Sequence, residues 1–376
     1  MICKSLPKTF KGGIQTHVWE LSAELLKLGI EVSILTGGSL RKGRVTHQTE
    51  GIQIIEIPYL RGKVIPFLSV TLEEFSFNLA AANWLKRFQG NYDIIHLQGR
   101  SGYLFPYLGL KSPVVQTVHR LLKVENQWAT KAYNNWFDKW LHETLTFFFE
   151  RKAVKAADRV VGVSQSTIAE TSKICQLDES SIKLIYNGAH LEDTPISHLP
   201  PKKQLLFVGR LSAIKGVFPL LKAMQHLPNH IKLVMIGEGP AKNKLEVMIK
   251  ALNIQDQVQL IGSKEQHEVR ALIKESFALI LPSFHESQGI VLMEANAAGR
   301  PVLAAQSSGV MEVVEHQKNG LLFPAGIPEA IEKSVLELFK DPKKASQMGR
   351  YGYHLVQKYF TWEHIAKQTL QLYREL

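Results

Sequence analysis

A chain of 376 residues with 45% hydrophobic side chains can bury a sizeable core, and its length fits two domains better than one. The formal net charge of +11 calls for anionic partners, yet no nucleic-acid-binding module is legible, so nucleic acid is set aside in favour of an acidic substrate or a membrane surface. Two cysteines, Cys3 and Cys175, cannot build a disulfide framework, and neither a membrane span nor a leader peptide is visible. A cytoplasmic protein is expected, with peripheral contact at an anionic membrane kept open.

Taken in order, the chain enters with a first strand reduced to Met1-Ile2-Cys3, which would support a loop at Gly12-Gly13. Apolar residues at helical spacing predict a helix over 15–28, with a strand at 31–36 after it. The Gly pair suits either a tight turn or a close backbone approach by a ligand. A strand at 52–57 and a helix at 70–87 follow, then a buried strand at 92–99 carrying His96 and Gln98 near its carboxyl end. The strand at 113–118 ends in His119-Arg120. In open α/β sheets ligands sit at such strand ends, so His96, Gln98 and His119 are candidates, although a lone histidine there is often structural. Residues 126–157 read as a long helix rich in aromatics, among them Trp128, Trp136, Trp140 and 147–149, closing on Arg151, Lys152 and Lys155. It suits a core helix with a solvated basic end, or an interfacial surface for anionic lipid. Strands at 159–163 and 182–186 flank a helix at 166–175.

A proline- and charge-rich linker at 191–203 separates this half from a second alternating series. Strands are predicted at 205–209, 232–236, 258–261 and 278–281, with helices at 217–224, 240–252 and 267–275 between them. A polar loop, 283–288, then feeds a strongly apolar helix at 289–298, stopped by Gly299 and Pro301, and a second strand follows up to Ala304. A helix at 310–316, a strand at 321–324 and helices near 327–340, 342–359 and 362–375 complete the chain. The repeated strand-then-helix order predicts an α/β fold of two Rossmann-like, doubly wound domains facing a cleft, in which ligands should bind.

Three features of the second half carry chemistry. Arg210 and Lys215, placed around the end of its first strand, suit a diphosphate, each charged hydrogen bond contributing about 1.5–3 kcal/mol. Gly237-Glu238-Gly239-Pro240 makes a strand-to-helix turn after the second strand. The third is the pair Glu286 and Glu294, which could be acid and base, metal ligands or hydroxyl acceptors. No further His or carboxylate gives a metal spacing, and hydroxyl acceptance suits them best. Glu294 falls mid-helix on a buried segment and needs a polar partner, which a ribose diol would supply. Backbone N–H groups around 287–290, at the start of that helix, make a natural anion site.

The stretches GGIQTHV, DIIHLQG, TVHR, ADRVVGVS, IYNGAHLE, VGRLSAIKG, IGEGP and PSFHESQGIVLMEANAAGRPV, spread over essentially the whole chain, resemble the retaining glycosyltransferases of family 4, which have the GT-B fold. The resemblance implies an acceptor-binding domain at 1–190, a nucleotide-sugar-binding domain at 204–359, and a last helix, about 360–376, crossing back to the first domain. It implies that Arg210 and Lys215 hold the donor diphosphate, helped by Gly13 and by the amides near Gln288, Gly289 and Ile290. Glu294 would bind the ribose, Glu286 the donor sugar, and His119 would lie beside the reacting carbon. Gly12, His17, His96 and Gln98 are acceptor-side candidates. Neither a metal nor another cofactor would be required. Three positions depart from the family pattern: Gln288 stands where phenylalanine is usual, His190 where aspartate is usual, and Gln98 where the second histidine of a pair is usual. The expected function is transfer of a sugar from a nucleoside-diphosphate-sugar to an acceptor hydroxyl with retention. The alternatives are a nucleotide-sugar hydrolase or epimerase, or a non-catalytic scaffold, on the same fold.

Overall fold

The computed structural model describes residues 1–7, 12–61, 69–124, 136–192 and 198–376. The expectations that touch Trp128 and the middle of the linker fall outside these. The chain divides into two compact units, Met1–Tyr186 with Ile365–Leu376, and Asn187–His364. Among the described residues no helix is long and apolar enough to cross a membrane.

In the first unit the elements run α1 (Gly13–Lys27), β1 (Ser33–Gly38), β2 (Val45–Thr49), β3 (Ile52–Pro58), α2 (Ser69–Phe88), β4 (Ile95–Gln98), β5 (Val114–Val118), α3 (Trp136–Ala156), β6 (Arg159–Gly162), α4 (Gln165–Cys175) and β7 (Ile182–Leu184). They form two runs of strands, β1-β3-β2 and β4-β5-β6-β7. The short first strand joins them. Ile2 bridges Leu35 and Leu97 in parallel. Its N–H donates to the His96 carbonyl at 2.9 Å, its own carbonyl accepts from the Gln98 N–H at 3.1 Å, and the Cys3 N–H donates to Leu35 at 3.0 Å. Three residues therefore do the hydrogen bonding of a central strand, with Ile2 itself buried.

The sequence pattern misses β2, for a physical reason. This edge strand pairs antiparallel with β3 and buries none of its five residues, so it has no apolar alternation to read. It is set by a two-residue turn in which Glu50 (φ 52°) and Gly51 (φ 82°) are both left-handed, the geometry that matches strand twist in a tight hairpin.

The second unit contains β8 (Gln204–Val208), α5 (Val217–His226), β9 (Lys232–Ile236), α6 (Lys242–Ala251), β10 (Val258–Leu260), α7 (Gln266–Glu275), β11 (Ala278–Leu281), α8 (Ile290–Ala297), β12 (Val302–Ala305), β13 (Gly320–Phe323), α9 (Pro328–Lys340) and α10 (Pro342–Tyr359). A final helix, α11 (Trp362–Arg374), starts in the second unit and ends in the first. The six strands lie in the order β10-β9-β8-β11-β12-β13, all parallel. The central strands β11 and β12 are buried throughout, as expected for a parallel sheet covered on both faces. The helix expected at 310–316 is instead a 3₁₀ turn at Ser308–Glu312. The Ser308 hydroxyl and the Gly309 N–H both donate to the Glu286 carbonyl, at 2.7 and 3.0 Å, and these bonds tie the segment to the loop after β11 instead of to a helix.

Candidate active site

Chain order in the second sheet reverses between β8 and β11, and in open α/β sheets ligands sit at the carboxyl ends of the strands at such a switch point. The loop after β8 carries Arg210 and Lys215; the loop after β11 carries Glu286, Gln288 and Gly289. Arg210 is exposed, and Lys215 is half-buried with both carboxylate oxygens of Glu286 in reach of its ammonium, at 2.8 and 2.6 Å. The Phe284 N–H donates to the Ile214 carbonyl at 2.8 Å and pins one loop to the other. Gly216, which caps α5, has φ 67°, and a Cβ there would overlap the Pro282 carbonyl oxygen. Only glycine lets the loop bearing Lys215 pass so close to β11.

The helix α8 starts at Ile290 behind Gly289, and its first-turn amides have no partners inside the helix. It is less buried than its composition predicts: Ile290, Val291 and Glu294 are all half-exposed. Glu294 therefore does not sit in an apolar interior, and it accepts a hydrogen bond from the Gln266 side chain, the first residue of α7, at 2.7 Å. Gln266 escaped sequence reasoning. The signal available was the capping box of Glu265 and Glu268, which fixes where α7 begins and so where Gln266 points.

Gln288 also differs from expectation. Its side chain is buried, and its Oε1 accepts from the Asn187 N–H at 2.7 Å and from Asn187 Nδ2 at 2.6 Å. Only its backbone is left for a ligand. His285, next to Glu286, shares a hydrogen bond of 3.2 Å with the Ser308 hydroxyl.

In the first unit the order also reverses, between the Ile2 segment and β4. There α1 begins at Gly13 with Gly12 as its N-cap in extended backbone. His17, on the first turns of α1, packs edge-on against His119, with ring centroids 4.7 Å apart. His119 Nε2 lies 2.9 Å from Gln98 Oε1, so that His17, Gln98 and His119 form one buried cluster. Gln98 Nε2 is buried without a hydrogen-bond partner among the described residues. Burial, with the neighbouring His17 charge adding to it, holds the pKa of His119 well below the usual histidine value. His96 stands apart from the cluster's polar contacts. Its Nδ1 meets the Tyr373 hydroxyl at 2.6 Å and its Nε2 the Thr117 hydroxyl at 2.7 Å, so both ring nitrogens are taken. It is a buried structural histidine whose pKa burial also drives well down. Among the described residues no group of three or more His, Cys, Asp or Glu side chains could hold a metal ion.

Comparison with known proteins agrees with this architecture. The profile described as Glycosyltransferase Family 4 matches residues 11–193, and that described as Glycosyl transferases group 1 matches residues 192–355. The chain is 26% identical over 396 residues to the D-inositol 3-phosphate glycosyltransferase of Corynebacterium glutamicum, covering 97% of this chain and 92% of the relative. Among solved structures, sucrose-phosphate synthase from Thermosynechococcus elongatus superposes with a TM-score of 0.81 at 22% identity, covering 97% of this chain and 93% of the other. Anabaena HepE, solved in complex with UDP-glucose, gives a TM-score of 0.76 at 18% identity, covering 100% and 98%. Those likenesses show the fold, which is GT-B. With both halves matched by the profiles, the chain belongs to glycosyltransferase family 4.

Proposed function

We propose that this glycosyltransferase moves a sugar from a nucleoside-diphosphate-sugar to an acceptor hydroxyl with retention at the anomeric carbon. The observation that carries the reading is the convergence of Lys215, Glu286 and the N-terminus of α8 on the switch point of the second sheet, with Arg210 on the same loop as Lys215. In this reading Arg210 and Lys215 hold the diphosphate, joined by backbone N–H groups at Gln288, Gly289 and Ile290, and by Gly13. Glu294 accepts from the ribose and Glu286 from the donor sugar. The cations stabilise negative charge as the diphosphate leaves, and no metal or other cofactor is assigned a part in that step. His119, neutral at physiological pH because of its burial, lies on the sugar side, and Gly12, His17 and Gln98 serve the acceptor. The Nε2 of Gln98, buried without a hydrogen-bond partner among the described residues, supplies a donor for an acceptor oxygen. His96 has no place in the scheme, since its ring nitrogens are engaged elsewhere. The UDP-glucose complex of the Anabaena neighbour supports a nucleotide-sugar as donor.

Donor screening by calorimetry, followed by turnover of Arg210→Ala and Lys215→Ala, tests the assignment. Each variant should lose about 100-fold or more in turnover, the usual consequence of deleting one contact made to developing charge. Near-normal turnover in both would sink the diphosphate role, and a product of inverted anomeric configuration would sink retention.

A further inference from the structure

Helix α3 is built inside out. Its inward row, at spacing four, is Asp138, His142, Thr146 and Glu150, all polar and all buried. The outward row at the same spacing is Trp136, Trp140, Thr144, Phe148 and Lys152, all exposed. A helix facing water on the surface of a globular protein shows the reverse arrangement.

The inward polar groups are satisfied within the unit. Asp138 caps α2, accepting from the Val70 and Thr71 N–H groups at 3.2 Å each and from the Thr71 hydroxyl at 2.6 Å. His142 meets Glu74 at 3.3 Å, and Glu150 accepts from the Leu122 N–H at 2.9 Å. These bonds fix the helix's rotation, so the aromatic face is held outward. Trp136 is 77% exposed and Trp140 55%, with Phe137 and Phe148 also open. Trp136 meets Phe137 edge-to-face and Phe137 lies tilted against Trp140, each pair with ring centroids 5.9 Å apart. The expectation of a core helix holds for Phe149, Ala153 and Val154, which pack against the core, and is corrected for Trp136, Phe137, Trp140 and Phe148, which do not.

Toward its carboxyl end the same face turns basic. A groove of about 710 Å³ runs along it, lined by Phe147, Phe148, Lys123, Arg151, Lys152 and Lys155 among others. Lys152 lies 4.7 Å from the Phe148 ring centre and Lys123 5.8 Å from that of Phe147. Glu143, half-buried and 3.9 Å from Lys139, is the acidic member of the lining. At 21 residues the helix is about 31 Å long, enough to lie along a surface.

We propose that this face docks the first unit on an anionic lipid bilayer, the aromatics entering the headgroup boundary and the cations meeting lipid phosphates. Tryptophan and other aromatics favour that boundary, and lysine and arginine beside it are drawn to anionic headgroups. Charge selects this occupant over a second copy of the chain, since a two-fold contact through the patch would press like cations together.

Flotation of the full chain with vesicles of phosphatidylcholine alone, or of phosphatidylcholine and phosphatidylglycerol at roughly two to one, tests the proposal. Binding to the anionic vesicles should be at least about tenfold tighter and should weaken as salt rises. Trp136→Ala with Trp140→Ala should lower partition by about tenfold or more. Lys152→Glu with Lys155→Glu should abolish the preference for phosphatidylglycerol. Thermal unfolding of each variant checks its fold. A measurement on folded protein stands beside them: brominated lipid should quench the tryptophan fluorescence of the unmodified chain, and Trp136→Phe with Trp140→Phe should remove that quenching while vesicle binding persists. Equal binding to both vesicles, or undiminished binding by both charge and aromatic variants, would overturn the proposal. So would absence of vesicle binding together with a concentration-dependent dimer that Trp136→Ala with Trp140→Ala dissolves, an outcome that assigns the face to a second copy.

Discussion

The buried amide clasp between Gln288 and Asn187 offers the sharpest test of how the loop after β11 is held. Truncating Gln288 to alanine takes the shared acceptor from two Asn187 donors, one backbone and one side chain, at a site where Asn187 is 4% and Gln288 1% exposed. A buried donor left unsatisfied costs about 1–3 kcal/mol, and the lost methylene adds about 0.8 kcal/mol. With two donors stranded, the expected loss is thus about 3–7 kcal/mol, or about 6–28 °C in Tm at about 2–4 °C per kcal/mol for a unit of this size. Denaturant melts of Gln288→Ala, Asn187→Ala and the double variant measure it. The pair should couple by more than about 1 kcal/mol, since the two residues share one network. Gln288→Met keeps the volume and removes the acceptor, so it isolates the hydrogen-bonding part. If Gln288→Ala costs under about 1 kcal/mol, or Gln288→Met is neutral, the clasp is not what orders this loop.

Two further predictions rest on other parts of the structure. His96 and His119 both titrate well below the usual value of 6.5 in the folded chain, chiefly through burial, so only the unfolded chain takes up their protons as pH falls past 6.5. Their stabilising contribution is therefore complete well above pH 6.5 and is lost progressively as pH falls below it. Chemical denaturation should show lower stability at about pH 5.5 than at about pH 7.5, and a flat profile would contradict their burial as neutral rings. Gly216→Ala forces a left-handed alanine whose Cβ meets the Pro282 carbonyl, and strain and overlap together should cost about 3 kcal/mol or more while also weakening nucleoside-diphosphate binding through the displaced Lys215. Gly90→Ala, with open space around its Cβ, should be neutral by the same melt and titration.

Continuous apolar runs such as 278–281 and 302–305 were readable as strands because a parallel sheet covered on both faces leaves no alternating polar positions. Chain order alone then implied doubly wound units, and with them which strand ends would carry Arg210, Lys215, Glu286, Gln98 and His119. Local sequence could not supply partners distant along the chain. Gln288 is bonded to a residue 101 positions away, and His96 to Tyr373 across 277, so neither role had a local signature. The edge strand β2 was invisible because burial, which writes the pattern, is absent there. The face that α3 presents was likewise undecided, since aromatic and polar residues alternate around it and its rotation is fixed by the distant partners of Asp138, His142 and Glu150. What the sequence determined by itself was the set of elements and the chemistry at their ends, because both follow from periodicity and residue type. Tertiary structure alone decided which polar side chains are spent on holding the fold and which remain for a ligand, because that depends on who meets whom in space.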